Sequence, residues 1–227
     1  MAGEKAVTLG EALGSLQFQA STPGLESRLA TRNDKMKNLK IPKRFESADT
    51  GDFPDATLKA VGNTAKPQSY YITGPVGTGK THLAVGILKE WAACGLSYLD
   101  ARRTFYPDYD ELGAAFIGAP ELLGKVKASF DGKGKSSEWI IKSYQNARCL
   151  VLDDLGAEQK TEWSFSCLYR IISHRDGEML PTIITSNLTL AQLEEWEPRI
   201  ASRLAGMVVI ALGGKDMRIG RRKRMEV

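Results

Sequence analysis

A chain of 227 residues, 42% hydrophobic and 26% charged, has room for one well-buried domain with short arms and not for two full-sized domains. No apolar run reaches the roughly 20 residues that span a bilayer, and the first residues lack the basic-then-apolar layout of a cleaved leader, so a cytosolic protein without a membrane partner is expected. The net charge of +4 is accounted for by residues 215–227, which hold six Lys/Arg against two Asp/Glu.

In chain order, a basic stretch comes first, with Arg28, Arg32, Lys35, Lys37, Lys40, Lys43 and Arg44 facing only Glu26 and Asp34. Leu25, Leu29, Met36 and Leu39 fall on one helical stripe that Arg32 interrupts, and Pro23 suits the first turn. Residues 1–45 therefore read as a basic amphipathic arm. The basic ends suit nucleic-acid phosphates; they equally suit solvated tails. Ile41 to Asp55, with Pro42 and Pro54, reads as a strap into a domain spanning 46–220, followed by a basic tail, 221–227.

Ser69 to Thr73 is predicted as a buried strand, and Thr81 to Cys94 as a helix closed by Gly95. Further strands are predicted at Leu96–Leu99, Cys149–Leu152, Thr182–Thr185 and Met207–Ala211, with helical patterns between most of them. Asp131 to Ser137 is glycine-rich and reads as a loop. Strands alternating with helices predict an α/β domain on a mainly parallel five-stranded sheet. Cys94, Cys149 and Cys167 are far apart and lack CxxC spacing, which argues against a disulfide framework or zinc site and for small core residues.

Gly74, Pro75, Val76, Gly77, Thr78, Gly79, Lys80 and Thr81 fit G-x-x-x-x-G-K-[ST] in full, after a strand and opening a helix. In such a loop backbone N–H groups and the helix N-terminus hold phosphates, Lys80 reaches the β/γ-phosphates of ATP, and the Thr81 hydroxyl ligates Mg2+. His82 follows directly and is counted with the nucleotide-contacting run. Its ring, like that of His174, has no partner cluster in sequence and is assigned no chemistry. The strand from Cys149 ends in Asp153-Asp154, at the sheet edge where ligands of parallel folds bind. With the glycine loop this reads as a Walker B pair, Asp153 holding Mg2+ and Asp154 orienting or deprotonating water. Asn187, after the fourth strand, is a candidate contact to the γ-phosphate or that water. Arg199 and Arg203 lie four apart on one helical face, either solvated or offering an arginine finger to a neighbouring subunit.

Taken together, Gly74–Thr81, Leu150–Gly156, Thr161–Trp163, Leu168–Ile172, Thr182–Leu188 and Arg199–Leu204 resemble the DnaC/DnaI-like AAA+ helicase loaders, a group that includes the transposition helper ATPase IstB. The resemblance covers roughly residues 41 to 220, including Ile41–Phe45 and Gly214–Arg218. It implies an AAA+ core with sheet order 5-1-4-3-2, little or no helical lid, and an oligomer formed with ATP. By the same resemblance Asn187 is a sensor residue, Arg203 a finger acting in trans, and Arg218 an arginine approaching ATP in its own subunit. Arg199 is a subunit-contact or DNA-facing arginine. The segment from Ala101 to Ala147 would face single-stranded DNA, with Lys125, Lys127, Lys133, Lys135, Lys142, Phe130, Trp139 and Tyr144 as candidates; the alternative is that Phe130 and Trp139 are core and the lysines solvated. The implied partners are single-stranded DNA and a replicative ring helicase, which the apolar stripe of the arm could dock.

Two departures stand out. Asp154 occupies a position where many AAA+ ATPases carry glutamate, so slow hydrolysis is expected. The arm has no zinc-type cysteines. The leading expectation is an ATP-dependent helicase loader. The alternatives are a transposition helper that binds duplex DNA and recruits a transposase, a small-molecule P-loop kinase, and an ATP-gated DNA scaffold with almost no turnover.

Overall fold

Five strands share one sheet in the computed structural model, which describes residues 41–64, 66–93, 114–214 and 216, without the side chains of 92 and 93. They are β1 (Tyr70–Thr73), β2 (Ala114–Gly118), β3 (Cys149–Leu155), β4 (Thr182–Ser186) and β5 (Val208–Ala211). The order is β2-β3-β4-β1-β5, with every neighbouring pair parallel. This is the expected 5-1-4-3-2 arrangement seen from the other edge. The inner strands β1, β3 and β4 are almost wholly buried, whereas β2 alternates between buried and half-buried positions. Helices cover both faces, which is why the inner strands carry near-continuous apolar runs.

The strand predicted at Leu96–Leu99 lies outside the described residues. The strand paired with β3 is Ala114–Gly118, inside the stretch that sequence reading placed between the second and third strands and turned toward DNA. Ala-Ala-Phe-Ile-Gly offers only two large side chains, and so short a pattern does not separate strand from loop. At the sheet edge, burying Ala115 and Ile117 is enough to hold it.

Seven α-helices occur among the described residues: α1 (Asp55–Val61), α2 (Lys80–Ala93), α3 (Ala119–Ala128), α4 (Ser137–Asn146), α5 (Glu162–Gly177), α6 (Leu190–Trp196) and α7 (Pro198–Ala205). Their starts follow side-chain chemistry. Ser136 accepts the Trp139 N–H ahead of α4, and Thr161 with Ser164, and Thr189 with Gln192, form reciprocal capping boxes at α5 and α6, each satisfying donors the first turn leaves unpaired. Pro198 opens α7, where its missing N–H costs nothing. None of these helices is long and apolar enough to cross a membrane. Among the described residues no helix follows β5.

The strand period sorts the core into two layers. Tyr70, Ile72, Val151, Ile183 and Ile210 pack with Leu83, Ile87, Leu88 and Trp91 of α2 and with Val61. Tyr71, Leu150, Leu152 and Ile184 pack on the other face with Leu122, Ile141, Leu168, Ile171 and Leu204. Leu155 joins the same layer as Leu152 although it lies three positions further on, an odd step that would ordinarily put it on the opposite face. The pairing explains this: Leu152 faces Ile184 and Leu155 faces Ser186, so β3 carries one extra residue at Asp153-Asp154, a β-bulge that resets the alternation. Cys149 and Cys167 are free thiols in the core, as expected, and burial pushes the Cys149 thiol up to about 12; Cys94 lies outside the described residues.

The strap ahead of α1 lies against α2. Lys89 Nζ donates to the Glu46 and Ala48 carbonyls, the Thr50 hydroxyl donates to Glu90, and His82 Nε2 meets Asp52 Oδ2 at 2.6 Å. Gly86 makes the contact possible, since a Cβ there would sit 2.9 Å from the Thr50 nitrogen. His82, without a partner in sequence, thus bonds a carboxylate thirty residues away.

Candidate active site

The loop after β1, the bulge in β3 and the end of β4 meet at one edge of the sheet. Lys80, 6% exposed, bends back so that Nζ donates to the Gly74 carbonyl at 2.9 Å and the Pro75 carbonyl at 2.8 Å. The Thr78 hydroxyl also donates to the Pro75 carbonyl, at 2.9 Å, closing the loop. Gly77 has φ +82°, a conformation open to glycine, and a side chain there would run into the Asp216 carboxylate. The segment after β5 therefore passes directly over the loop. Val76 at its tip is exposed.

Thr81 and Asp153 meet. The Thr81 side chain lies beside the Asp153 carboxylate and favours its ionised form, bringing the start of α2 to the end of β3. Burial pushes the Asp153 carboxyl above the usual carboxylate range, and the Asp154 charge adds to this. The Thr185 hydrogen bond, the Thr81 side chain and the charge of Arg44 act in the opposite direction. A hydroxyl and a carboxylate at the end of a phosphate-type loop are an all-oxygen donor pair that fits a hard divalent cation such as Mg2+. Among the described residues no group of three or more His/Cys/Asp/Glu could hold a metal by itself, so phosphate oxygens and water would complete the shell.

Thr185, fully buried on β4, is bonded to both residues of the bulge. Its hydroxyl donates to Asp153 Oδ1 at 2.7 Å and accepts the Asp154 N–H at 2.9 Å. Asp154 has φ +56°, a left-handed conformation uncommon outside glycine. Asp153 and Asp154 are legible in the sequence and Thr185 is not, because a β-branched residue in a strand needs no explanation beyond its strand preference.

Asn187 follows β4 in an exposed bend. Both of its neighbours are fixed: Ser186 Oγ donates to the Leu155 carbonyl at 2.6 Å, and the Leu188 carbonyl accepts from the Tyr71 and Thr73 hydroxyls at 2.6 and 2.5 Å. Glu158 folds back to accept the Gly156 N–H through Oε2, while Oε1 is buried without a partner, and burial pushes its carboxyl up.

The two arginines lie together on α7, engaged with α5. Arg199 forks onto Glu197 at 2.7 and 3.2 Å, and Arg203 Nη2 donates to the Tyr169 hydroxyl at 3.1 Å. Both guanidinium groups lie over the Tyr169 ring, 5.1 and 5.0 Å from its centroid, which is cation–π range. Arg203 Nε is buried without a partner. Arg218, the basic tail and the N-terminal stripe lie outside the described residues.

Of the candidate DNA contacts, Tyr144 is corrected: it is buried in the core with Ile141 and Leu122, because the alternation along α4 turns it inward. Phe130 is 62% exposed and meets Trp163 edge-on, with Lys127 Nζ 5.1 Å from the Trp163 centroid. Lys125 pairs with Glu121 at 2.8 Å, and Lys142 lies 3.9 Å from Glu138. Lys135 lies over the half-buried Trp139, and Lys133 is exposed.

Comparison with known proteins agrees with this arrangement. The chain is 25% identical over 125 residues to the replicative helicase loader DnaC of Escherichia coli K12, covering 55% of this chain and 44% of that one. It is 26% identical over 138 residues to the replicative helicase loader DnaI of Bacillus subtilis 168, covering 60% and 39%. It therefore spans less than half the length of these two relatives. The insertion sequence IS21 putative ATP-binding protein of Pseudomonas aeruginosa is 27% identical over 179 residues, covering 76% and 58%. The fold matches the solved structure of DnaI, with a TM-score of 0.58 at 24% identity over 78% of this chain and 94% of that one. It matches the DnaC helicase loader structure equally, at 0.58 and 24% over 76% and 100%. The family model described as IstB-like ATP binding protein matches residues 26–204, most of the chain and every strand but the last, and the protein belongs to that family.

Proposed function

We propose that this protein is an ATP-dependent switch that hydrolyses ATP slowly and loads a replicative ring helicase onto DNA. The observation that carries the ATPase part is the meeting of Thr81 with the Asp153 carboxylate beside the lysine-bearing glycine loop. Lys80 exchanges its two loop carbonyls for β/γ-phosphate oxygens, and the N–H groups opening α2 hold the phosphates. Thr81 and Asp153 would hold Mg2+, which would supply positive charge against the phosphate oxygens. Asp154 orients or deprotonates the attacking water, and Asn187 contacts that water or the γ-phosphate from the turn after β4. Arg218 approaches ATP within its own subunit.

Arg203 serves a neighbouring subunit. Its engagement with Tyr169 holds the guanidinium in a fixed position within its own subunit, and a finger supplied across an interface stabilises transition-state charge. The loader reading, with its oligomer, ring helicase and single-stranded DNA, is supported by the two loader relatives and by the exposed Phe130 beside Trp163 and Lys127, a surface on which bases can stack. A second reading has its own support: the insertion-sequence relative covers 76% of this chain, more than either loader. In it the same ATP site serves a transposition helper on duplex DNA.

The test measures turnover and oligomer size for wild type and Arg203→Ala, with single-stranded DNA, duplex DNA and a candidate ring helicase. The loader reading expects assembly with ATP, a change in turnover with helicase or single-stranded DNA, and an Arg203→Ala protein that binds ATP with turnover down on the order of 10^3-fold. A response to duplex DNA alone moves the assignment to the transposition helper. A monomer whose turnover ignores DNA, helicase and Arg203 overturns both.

A further inference from the structure

We infer that Thr185 is the positioning residue of the hydrolytic centre, joining the metal-side carboxylate Asp153 to the water-side residue Asp154 through one buried hydroxyl. The inference rests on the proposed roles of those two aspartates and adds a residue that neither the motif nor the resemblance assigns.

The direction of the hydrogen bonds follows from donor and acceptor chemistry. A backbone N–H only donates, so Thr185 Oγ1 accepts from Asp154. An ionised carboxylate only accepts, so the single hydroxyl proton goes to Asp153 Oδ1. The 2.9 and 2.7 Å contacts therefore form one directed chain from the Asp154 amide through the hydroxyl to the Asp153 carboxylate. Such a chain polarises along its length in a buried site, and Thr185 is fully buried.

The sheet register makes one side chain sufficient. With Leu152 opposite Ile184 and Leu155 opposite Ser186, the extra residue of the bulge leaves Thr185 facing both Asp153 and Asp154. The bulge removes a regular ladder position for the Asp154 amide, and the hydroxyl takes the place of the missing carbonyl. It also secures the left-handed backbone of Asp154, φ +56°, which sets where that side chain leaves the strand. Thr81 at the start of α2 also lies beside Asp153 and favours its ionised form, so residues of two elements act on the one carboxylate. A valine at 185 keeps the shape and the β-branch and loses both bonds. A serine keeps both bonds and loses a methyl group.

The experiment compares wild type, Thr185→Val, Thr185→Ser and Asp153→Asn by nucleotide affinity without metal, by the Mg2+ concentration that half-saturates the nucleotide complex, and by kcat. Thermal midpoints check folding, and Thr185→Ala replaces Thr185→Val if the latter does not fold. Removing a partner of a ligating carboxylate typically costs 10- to 100-fold in metal affinity or activity. Thr185→Val is therefore expected to keep metal-free affinity within about twofold, while its Mg2+ midpoint rises and its kcat falls by about tenfold or more; Thr185→Ser stays close to wild type in all three. A Thr185→Val protein with wild-type Mg2+ midpoint and kcat, beside a shifted Asp153→Asn, overturns the inference alone. A Thr185→Ser protein as impaired as Thr185→Val also overturns it, since shape and not the hydroxyl is then responsible. If Asp153→Asn leaves the Mg2+ midpoint unchanged, the assignment of Asp153 has failed and the inference falls with it.

Discussion

At Asp154 the backbone is unusual as well as the side chain. Asp154 and Met179 are the non-glycine residues at positive φ among the described residues, and Met179 sits in an exposed turn after α5. A left-handed L-residue costs on the order of 1 kcal/mol, less for aspartate than for bulky types. Strain of this kind is retained where it positions a functional group. Asp154→Gly relieves it while removing the carboxylate. We expect stability within about 1 kcal/mol of wild type, because the relief offsets the extra freedom glycine gives the unfolded chain. Turnover should be lost. Urea unfolding and ATPase assays check the two halves, and a large stability loss would show that the carboxylate belongs to the fold rather than to the reaction.

At the scale of the element, Arg175 holds the sheet to its covering helices. It is 1% exposed on α5. Its guanidinium donates to the Tyr144, Gln145 and Ala147 carbonyls at the end of α4, to the Pro181 carbonyl, and to the Thr182 hydroxyl at the start of β4. The last carbonyls of a helix have no partner within it, and a planar five-donor fork satisfies several at once. Burial pulls the guanidinium down to about 9, so it stays charged at neutral pH. Arg175→Ala leaves these buried carbonyls unpaired, and hydrogen bonds to charged groups contribute about 1.5–3 kcal/mol each. We expect a loss of at least about 3 kcal/mol in urea unfolding, with ATP affinity retained in whatever fraction stays folded. A loss under about 1 kcal/mol would mean water replaces the fork.

For the whole molecule, the two halves of the proposed chemistry are held by different parts of the chain. The glycine loop, Asp153, Asp154 and Thr185 form one cluster, while Arg203 is held by Tyr169 on α5. A finger acting between subunits predicts complementation. A Lys80→Ala subunit lacks its own phosphate contact and still supplies Arg203; an Arg203→Ala subunit binds ATP and lacks a finger to give. Mixed in equal amounts, they should recover turnover that neither shows alone, measured in a steady-state assay against total subunit concentration. No recovery would place Arg203 outside the chemistry of a neighbouring subunit.

The sequence by itself determined the sheet class, the glycine loop and the Asp153-Asp154 pair, because these are local: a short apolar run, a contiguous glycine-lysine motif and two adjacent carboxylates are each read within a few residues. Four of the strands were likewise legible from their own runs. The edge strand Ala114–Gly118 was not, since only the pairing with β3 makes three small residues, a phenylalanine and an isoleucine into a strand. Tyr144 stands among the polar residues Lys142, Ser143, Gln145 and Asn146 in sequence and is turned into the core by the packing of α4. The partners of His82 and Arg203, and both bonds of Thr185, lie thirty or more residues away in sequence. Only the tertiary structure decided these, because a β-bulge, a strap on a helix and a helix-to-helix contact are set by which distant elements pack together, and no local pattern carries that information.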